Sequence, residues 1–339
     1  MRIALDAMGG DIGIEVNVKA ALLSLQAYKN LEKIYLVGNQ AGIESELSRH
    51  SYSADRIVVV HSPQEVSMKD SPSFAIRQKK ESSLAIMLQL QKDKEVDASV
   101  SAGNTGAVMA FALRILGRIP GINRPGLASP LPTRTGTPVV LIDIGANTDC
   151  KARNLLEFAY MGSLYAEHII GVAQPTVGII NIGEESSKGN DVTLLAHQLL
   201  ERSELNFAGN AEGRDILSGK FNVIVMDGFV GNIVLKLSES LMVLYNSLLR
   251  EGIKKSFKSK IGALLMKPAF EHVKQKINYE SYGGAILMGV IGICIISHGR
   301  STPVAIKNAI FSAMEMKRAD ITRRIEQEIS QHDAEGEME

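Results

Sequence analysis

Five short stretches hold most of the groups in this chain that could meet an anion: MGGD at 8–11, AGNTG at 102–106, IGANTD at 144–149, IGEESSKGN at 182–190 and DGFVGN at 227–232. They contribute Gly9, Gly10, Gly103, Asn104, Thr105, Gly106, Gly145, Asn147, Gly183, Lys188, Gly189, Asn190, Gly228, Gly231 and Asn232. Glycine lets the backbone approach a ligand and exposes its N–H groups, and a helix N-terminus behind such a loop favours negative charge. Asn and Thr add neutral donors. The combination suits a site that holds phosphate and stabilises a developing oxyanion. Any single loop is also what an αβ turn needs, with Asn or Thr capping the next helix; their number is what points to a site. Neither G-x-G-x-x-G nor G-x-x-x-x-G-K-[ST] occurs after a strand, which argues against a dinucleotide enzyme or a P-loop NTPase.

Each stretch follows a short β-rich apolar run and opens onto a helical pattern. The runs are RIALDA (2–7), DASVS (97–101), PVVLID (138–143), TVGIIN (176–181) and FNVIVM (221–226). In the helix after the fourth, Val192, Leu195, Leu199 and Leu200 fall near one face. KIYLVG (33–38) and RIVVVH (56–61) supply two further strands. Strands alternating with helices predict a mostly parallel α/β sheet covered on both faces. Ligands bind such sheets outside the carboxyl ends of the strands, so all five loops are expected along one edge.

The chain has 339 residues, 45% hydrophobic and 22% charged, enough for a sizeable core. Lys+Arg 37 against Asp+Glu 37 leaves no net charge, so no global field recruits nucleic acid. Cys150 and Cys294 lie far apart, which fits a reducing cytoplasm rather than a disulfide framework or a structural zinc site. Asp6 interrupts the first apolar run, so no leader is expected. Ser281 to Gly299 carries no formal charge over a length that could span a bilayer. Its glycines disfavour a helix, and a buried turn with a short helix or strand is expected. Residues 1–330 read as one α/β catalytic unit, and the polar acidic tail 331–339 as disordered.

In order along the chain, IALDAMGGD (3–11), SAGNTGA (101–107), LIDIGANTD (141–149), NIGEESSKGN (181–190), NAEGRDI (210–216), DGFVGNIVLK (227–236), GGAILMGVIG (283–292) and SHGRS (297–301) resemble the bacterial phosphate acyltransferases of phospholipid synthesis (PlsX). One departure is Ile286, where that family usually has proline. The resemblance implies a three-layer α/β/α sandwich around a mostly parallel sheet, similar to phosphotransacetylase and isocitrate dehydrogenase-like folds. It also implies a homodimer that converts an acyl-(acyl carrier protein) and inorganic phosphate to acyl phosphate and free carrier protein. The product would pass to a downstream membrane acyltransferase.

Phosphate is already anionic near neutrality, its second proton leaving at roughly pH 6 as in a phosphomonoester. A thiol of pKa about 8.5 departs with little help. Positioning and oxyanion stabilisation are therefore the main needs, and no cofactor is required. On the matched motifs, Lys188 is expected to pair with phosphate or the oxyanion, with Asn232 as a second donor. Gly9, Gly10, Ser101, Gly103, Asn104, Thr105, Asn147 and Gly231 are the expected phosphate-binding set. His298 is either a hydrogen-bonded core histidine or an aid to the leaving thiol. Asp6 and Asp11 are expected to order the glycine turn. Cys150 has no histidine near it in sequence, so direct attack by phosphate is preferred to an acyl-cysteine. No His and carboxylate cluster at ligand spacing suggests a metal. An acyl-coenzyme A donor and a non-catalytic membrane-docking scaffold are the alternatives.

From Arg250 to Lys276 there are eight basic and two acidic residues, a local net of 8 − 2 = +6. Ile253, Phe257, Ile261, Leu264 and Leu265 fall on one helical face, and Pro268 suits the first turn of a second helix. This predicts a basic amphipathic hairpin at about 250–278, with Lys254, Lys255, Phe257, Lys258, Ile261, Leu264 and Leu265 facing an anionic membrane or the carrier protein. Peripheral association with the inner face of the cell membrane follows from the resemblance.

Overall fold

The computed structural model describes residues 1–277 and 283–334. The amino-terminal part builds β1 (Arg2–Asp6), α1 (Ile14–Ala27), β2 (Lys33–Gly38), α2 (Gln40–Leu47), β3 (Ile57–His61), α3 (Pro72–Gln78), α4 (Ser83–Lys92), β4 (Ala98–Ser101) and α5 (Thr105–Ile115). The middle adds β5 (Gly126–Leu131), β6 (Val139–Ile142), α6 (Ala152–Tyr165), β7 (Val177–Ile180), α7 (Asp191–Arg202), β8 (Phe207–Ala211) and β9 (Val223–Val225). Then come α8 (Gly228–Lys254), α9 (Phe257–Leu265), α10 (Lys267–Ile277), β10 (Ala285–Met288), β11 (Cys294–Ile296), α11 (Pro303–Arg318) and α12 (Ile321–Ala334). Every strand expected from the apolar runs is present.

All eleven strands join one sheet in the order β3-β2-β1-β4-β11-β10-β5-β6-β9-β7-β8. Strands β1 to β4 and β11 are mutually parallel. Next to them β10 is antiparallel to β11, β5 antiparallel to β10, and β6 antiparallel to β5. Three reversals leave β6 and its parallel neighbours β9, β7 and β8 running opposite to the first group. The expectation that all five loops share one edge is therefore wrong. Loops after β1, β4 and β11 lie at one edge, and loops after β6, β7 and β9 at the other.

The sequence hides this reversal in GLASPLPTRTG, where Gly126 and Pro130 argue against a central strand. Pro130 is tolerated because β10 pairs only with Gly126 to Ala128, leaving β6 alone beside it. The following turn is closed by Gly136 N–H on Thr133 O and by Thr133 Oγ1 on Thr137 O. Ile286, in place of proline, is fully buried in β10 and pairs with Ala128 on one side and Ile295 on the other. The uncharged stretch is thus a buried hairpin over its described part, as expected, turned by Gly289 (φ 89°) and Gly292 (φ 142°); Ser281 and Tyr282 lie outside the described residues.

Side chains alternate between two buried clusters. Ile3, Leu5, Val140 and Ile142 belong to the cluster under α1, α6, α7, α11 and α12, whereas Ala4, Val139 and Leu141 belong to the one under α4, α5 and the start of α8. Three layers follow from strands buried on both faces, which is why they read as near-continuous apolar runs. At the carboxyl end α12 continues to Ala334, and His332 is buried and stacks on Tyr160 at 4.3 Å. Residues 331–334 of the supposed tail are therefore helix; 335–339 lie outside the described residues.

The helical arm starts earlier than the basic segment suggested. Helix α8, 27 residues and about 40 Å long, leaves the sheet edge with only Gly228 and Gly231 buried. Ser256 then caps α9, so Ile253 and Phe257 belong to different helices, while Pro268 sits in the first turn of α10 as expected. A methyl group on Gly231 would run into the carbonyl oxygen of Asp143, and one on Gly228 would meet Asn147 N at 2.7 Å. By helix propensity alone Gly231→Ala should stabilise by about 1 kcal/mol. The clash predicts the opposite sign: a loss of about 1–3 kcal/mol, measured from the urea midpoint.

Candidate active site

At the β6/β7/β9 edge the organising group is the fully buried Asp143. Its Oδ1 accepts from the N–H groups of Leu127, Gly145 and Ala146 at 3.1, 3.0 and 2.8 Å. Its Oδ2 accepts from Asn147 N and Nδ2 at 2.7 and 2.9 Å. Burial pushes this carboxyl above its usual range, and the N–H donors pull it back. Since every one of these partners is a donor, the shell suits the carboxylate. Asn147 Nδ2 also donates to Pro125 O at 2.7 Å. Its amide thus fixes the loop rather than standing free for phosphate, a correction to the expected donor set.

The β7 loop is fastened through its backbone. Asn181 accepts Ile182 N–H through Oδ1 and donates through Nδ2 to Lys188 O at 2.9 Å. Lys188 N donates to Glu185 O at 3.0 Å, and Asn210 Nδ2 donates to the same carbonyl at 2.8 Å. Gly183 makes room for the lysine stem: a side chain there would stand 3.1 Å from Lys188 Cγ. Lys188 itself is exposed, and its ammonium makes no ion pair among the described residues. On the adjacent strand end, Asp227 caps α8 by accepting Val230 N–H at 2.8 Å. Asn232, one turn on, lies against Gly145, whose φ is 143°. It makes no side-chain hydrogen bond among the described residues. Lys188 and Asn232 therefore keep uncommitted donors at neighbouring loops, while Gly231, expected among the phosphate-binding set, serves close packing against Asp143 and Ile144.

Between these loops lies a cavity of about 560 Å³, bounded by Cys150, Asn181, Gly189, Asp227 and Val230 among others. Asp149 on its wall pairs with Arg124 at 2.9 Å. Sequence inspection missed Asp143, Asn181 and Asp227, which hold loops instead of carrying a motif's distinctive residue. Their signal was position: each is the polar residue that closes or directly follows an apolar strand run.

The opposite edge gathers the remaining expected residues. Asp6 Oδ1 accepts Met8 N–H at 3.1 Å, the Asx-type bond expected of it, and Oδ2 accepts Ser101 Oγ–H at 2.7 Å. Burial raises its carboxyl above the usual range, opposed by Ser101 and other donors. Ser101 Oγ in turn accepts Gly103 N–H at 2.9 Å. Gly9 packs on Gly103, and Gly10 on Gly299. Asn104 is not a free donor: Oδ1 caps α5 through Ala107 N, and Nδ2 donates to Met68 O and Asp70 O at 3.1 and 2.9 Å. Thr105 begins α5. His298 is exposed rather than part of the core, and its Nδ1 accepts Arg300 N–H at 3.1 Å. Five strand spacings separate β11 from β7, about 24 Å at roughly 4.8 Å each. Within one chain His298, Gly9, Gly10, Ser101, Gly103, Asn104 and Thr105 do not join Lys188.

Carboxylates do cluster at one point the sequence did not reveal. Glu184, Glu212 and Asp215 bring oxygens within 4.8 Å of one another. Arg214 pairs with Glu184 and Glu212, and Lys220 with Glu184, so the group is an ion-pair network.

The chain matches the family described as "Fatty acid synthesis protein" over residues 1–324. It is 44% identical over 331 residues to a phosphate acyltransferase of Clostridium novyi (strain NT), covering 98% of this chain and 99% of the relative. With a phosphate acyltransferase of Pelotomaculum thermopropionicum it shares 48% over 315 residues, 93% of this chain and 91% of the relative. The chain belongs to the phosphate acyltransferase family. Among solved structures it resembles a phosphotransacetylase from Streptococcus pyogenes, with TM-score 0.61, 18% identity and 94% of each chain covered. A EutD phosphotransacetylase from Staphylococcus aureus gives TM-score 0.60 at 16% identity, covering 93% of this chain and 94% of that one. These neighbours carry the expected fold and nothing finer.

In this phosphate acyltransferase family member the half-buried Cys150 is the one thiol lining the cavity. Burial first, and then the charges of Asp143 and Asp227, push its thiol up to about 12. A raised pKa means the thiol keeps its proton throughout the neutral range, so it is a poor nucleophile. Iodoacetamide labelling of Cys150 in the folded protein should be slow at pH 7 and still be rising about tenfold per pH unit at pH 10, where a thiol of pKa about 8.5 has levelled off. Cys150→Ser should retain more than half of wild-type turnover; abolished turnover with intact folding would reinstate the acyl-cysteine.

Proposed function

We propose that the chain transfers the acyl group of an acylated carrier protein to inorganic phosphate, giving acyl phosphate and free carrier protein. What supports this is that two uncommitted donors, the Lys188 ammonium and the Asn232 amide, stand on the two loops that flank a cavity whose only thiol is held protonated. A phosphate oxygen bonds to the thioester carbon, the carbonyl oxygen becomes an oxyanion, and the C–S bond then breaks with its electron pair leaving on sulfur. Lys188 offers charge to phosphate or oxyanion, and Asn232 an N–H. Proximity and orientation supply on the order of 7–11 kcal/mol, and each oxyanion donor roughly 3–4 kcal/mol. The leaving thiolate needs no acid, which fits the placing of His298 on the other edge.

The arm supports two further parts of this reading. Phe229, Ile233, Leu237, Leu241, Leu244 and Leu248 are all more than half exposed along α8. From Leu237 their spacing alternates four and three residues, the seam of a two-helix coil, so a second copy of the chain is the natural cover. Among the described residues α8 is also the one helix long and apolar enough to cross a membrane, but Lys236 and Glu239 sit near its middle and such charges are costly in a bilayer. At the far end, Phe257, Leu264 and Leu265 are 77%, 70% and 76% exposed beside Lys254, Lys258 and Lys260. Apolar side chains ringed by cations suit an anionic membrane surface, where a water-insoluble acyl phosphate could be handed to a membrane acyltransferase.

The deciding assay is phosphate-dependent release of free carrier protein with the acyl phosphate trapped by hydroxylamine, run against acyl-coenzyme A at equal concentration. Lys188→Ala should lower kcat about 100-fold with an unchanged melting temperature; wild-type rates at saturating phosphate would remove Lys188 from the site. Separately, Leu264→Glu with Leu265→Glu should abolish low-salt flotation on phosphatidylglycerol vesicles while turnover on soluble substrate persists. Flotation equal to wild type would show that the α9 tip is not the membrane face.

A further inference from the structure

The cavity at the β6/β7/β9 edge has polar groups at Thr148, Asp149, Asn181, Asn190, Thr193 and Asp227 and an apolar wall between them. Its apolar wall comes from Cys150, Leu155 on α6, Ile180 ending β7, Val192 starting α7 and Val230 starting α8. No lysine or arginine lines it, so it is not built to hold phosphate. Ile182 stands at its rim with 82% of its surface exposed, more than any other large apolar side chain among the described residues. An isoleucine left in water gains when an apolar group lies across it. The volume of about 560 Å³ lies within the range of small-ligand sites, roughly 300–1,000 Å³.

Lys188 directly precedes Gly189 on the cavity wall. A carbonyl held by that ammonium would lie beside this wall, with the apolar side chains of the cavity within reach of what hangs from it. We propose that the cavity takes the hydrocarbon chain of the acyl substrate, with Val192 and Val230 setting the chain length accepted and Ile182 closing over its first methylenes. This rests on the acyl-transfer reading above for the identity of the substrate. The carrier protein's prosthetic arm is the competing occupant, and it predicts a different pattern.

Each buried methylene is worth about fourfold in binding, so kcat/KM should climb with chain length until the cavity is full. In Val192→Phe, which narrows it, the ratio of kcat/KM for sixteen-carbon over eight-carbon acyl-carrier protein should fall at least tenfold. Val192→Ala, which enlarges it, should shift the ratio the other way; opposite signs cannot come from misfolding. Equal losses for both lengths would assign the cavity to the prosthetic arm and overturn the proposal. A second measurement does not depend on turnover. The chain has no tryptophan, so Ile182→Trp places a single reporter at the rim. 2-Bromohexadecanoate should quench it saturably, and Val192→Phe in the same background should weaken that binding at least tenfold. No quenching, or quenching indifferent to Val192→Phe, overturns the proposal whether or not acyl phosphate is formed.

Discussion

The pairing of β5 with β6 and of β10 with β5 decides where everything else can be. Had those strands run parallel, the donor-rich loops would line one edge and form one large site. Antiparallel backbone hydrogen bonds instead reverse the second half of the sheet, and each half presents its own loops at its own edge. A parallel sheet requires crossovers, whereas a hairpin needs only a short turn. Residues 132–138 supply that turn, and with it the separation of Lys188 from His298.

Each edge is then built around one buried carboxylate that ties loops together. Asp143 gathers the N–H groups of its own loop and of Leu127, and Asp6 joins the first glycine loop to Ser101 and, through it, to Gly103. Both carry the cost of burial, offset by directed donors. Asn104 and Asn147 belong to this scaffolding: Asn104 is engaged through both Oδ1 and Nδ2, and the Nδ2 of Asn147 donates to both Pro125 O and Asp143 Oδ2, so their N–H donors shape the loops and are not free for a ligand. Lys188 and Asn232 differ because their loops are fixed by other atoms, Asn181 and Gly231 among them, which leaves their side-chain ends unpaired among the described residues. A rigid loop with a free donor is what electrostatic stabilisation of a transition state needs.

The arm obeys a different constraint. Two glycines dock α8 against the Asp143 loop, and beyond them the helix has little of its own chain to pack on. Its apolar stripe begins at Phe229, next to Asn232, so whatever covers the stripe also approaches the mouth of the site. Sequence periodicity showed the basic tip but not the long apolar shaft below it, because a stripe reads the same whether a core or a partner covers it.

The sequence by itself determined the strand–loop–helix units, the burial of the uncharged stretch at 285–296, the absence of a cysteine pair and the motif set that marks the family. Those are local properties: apolar period, turn residues and the order of short motifs. It did not determine which loops stand together, that His298 is exposed, that residues 331–334 continue a helix, or which asparagines are free. Strand direction depends on hydrogen bonds between segments remote in the chain, and an amide is free or engaged according to carbonyls contributed by other elements, such as Pro125 for Asn147 and Asp70 for Asn104. Only the tertiary structure brings those partners within reach.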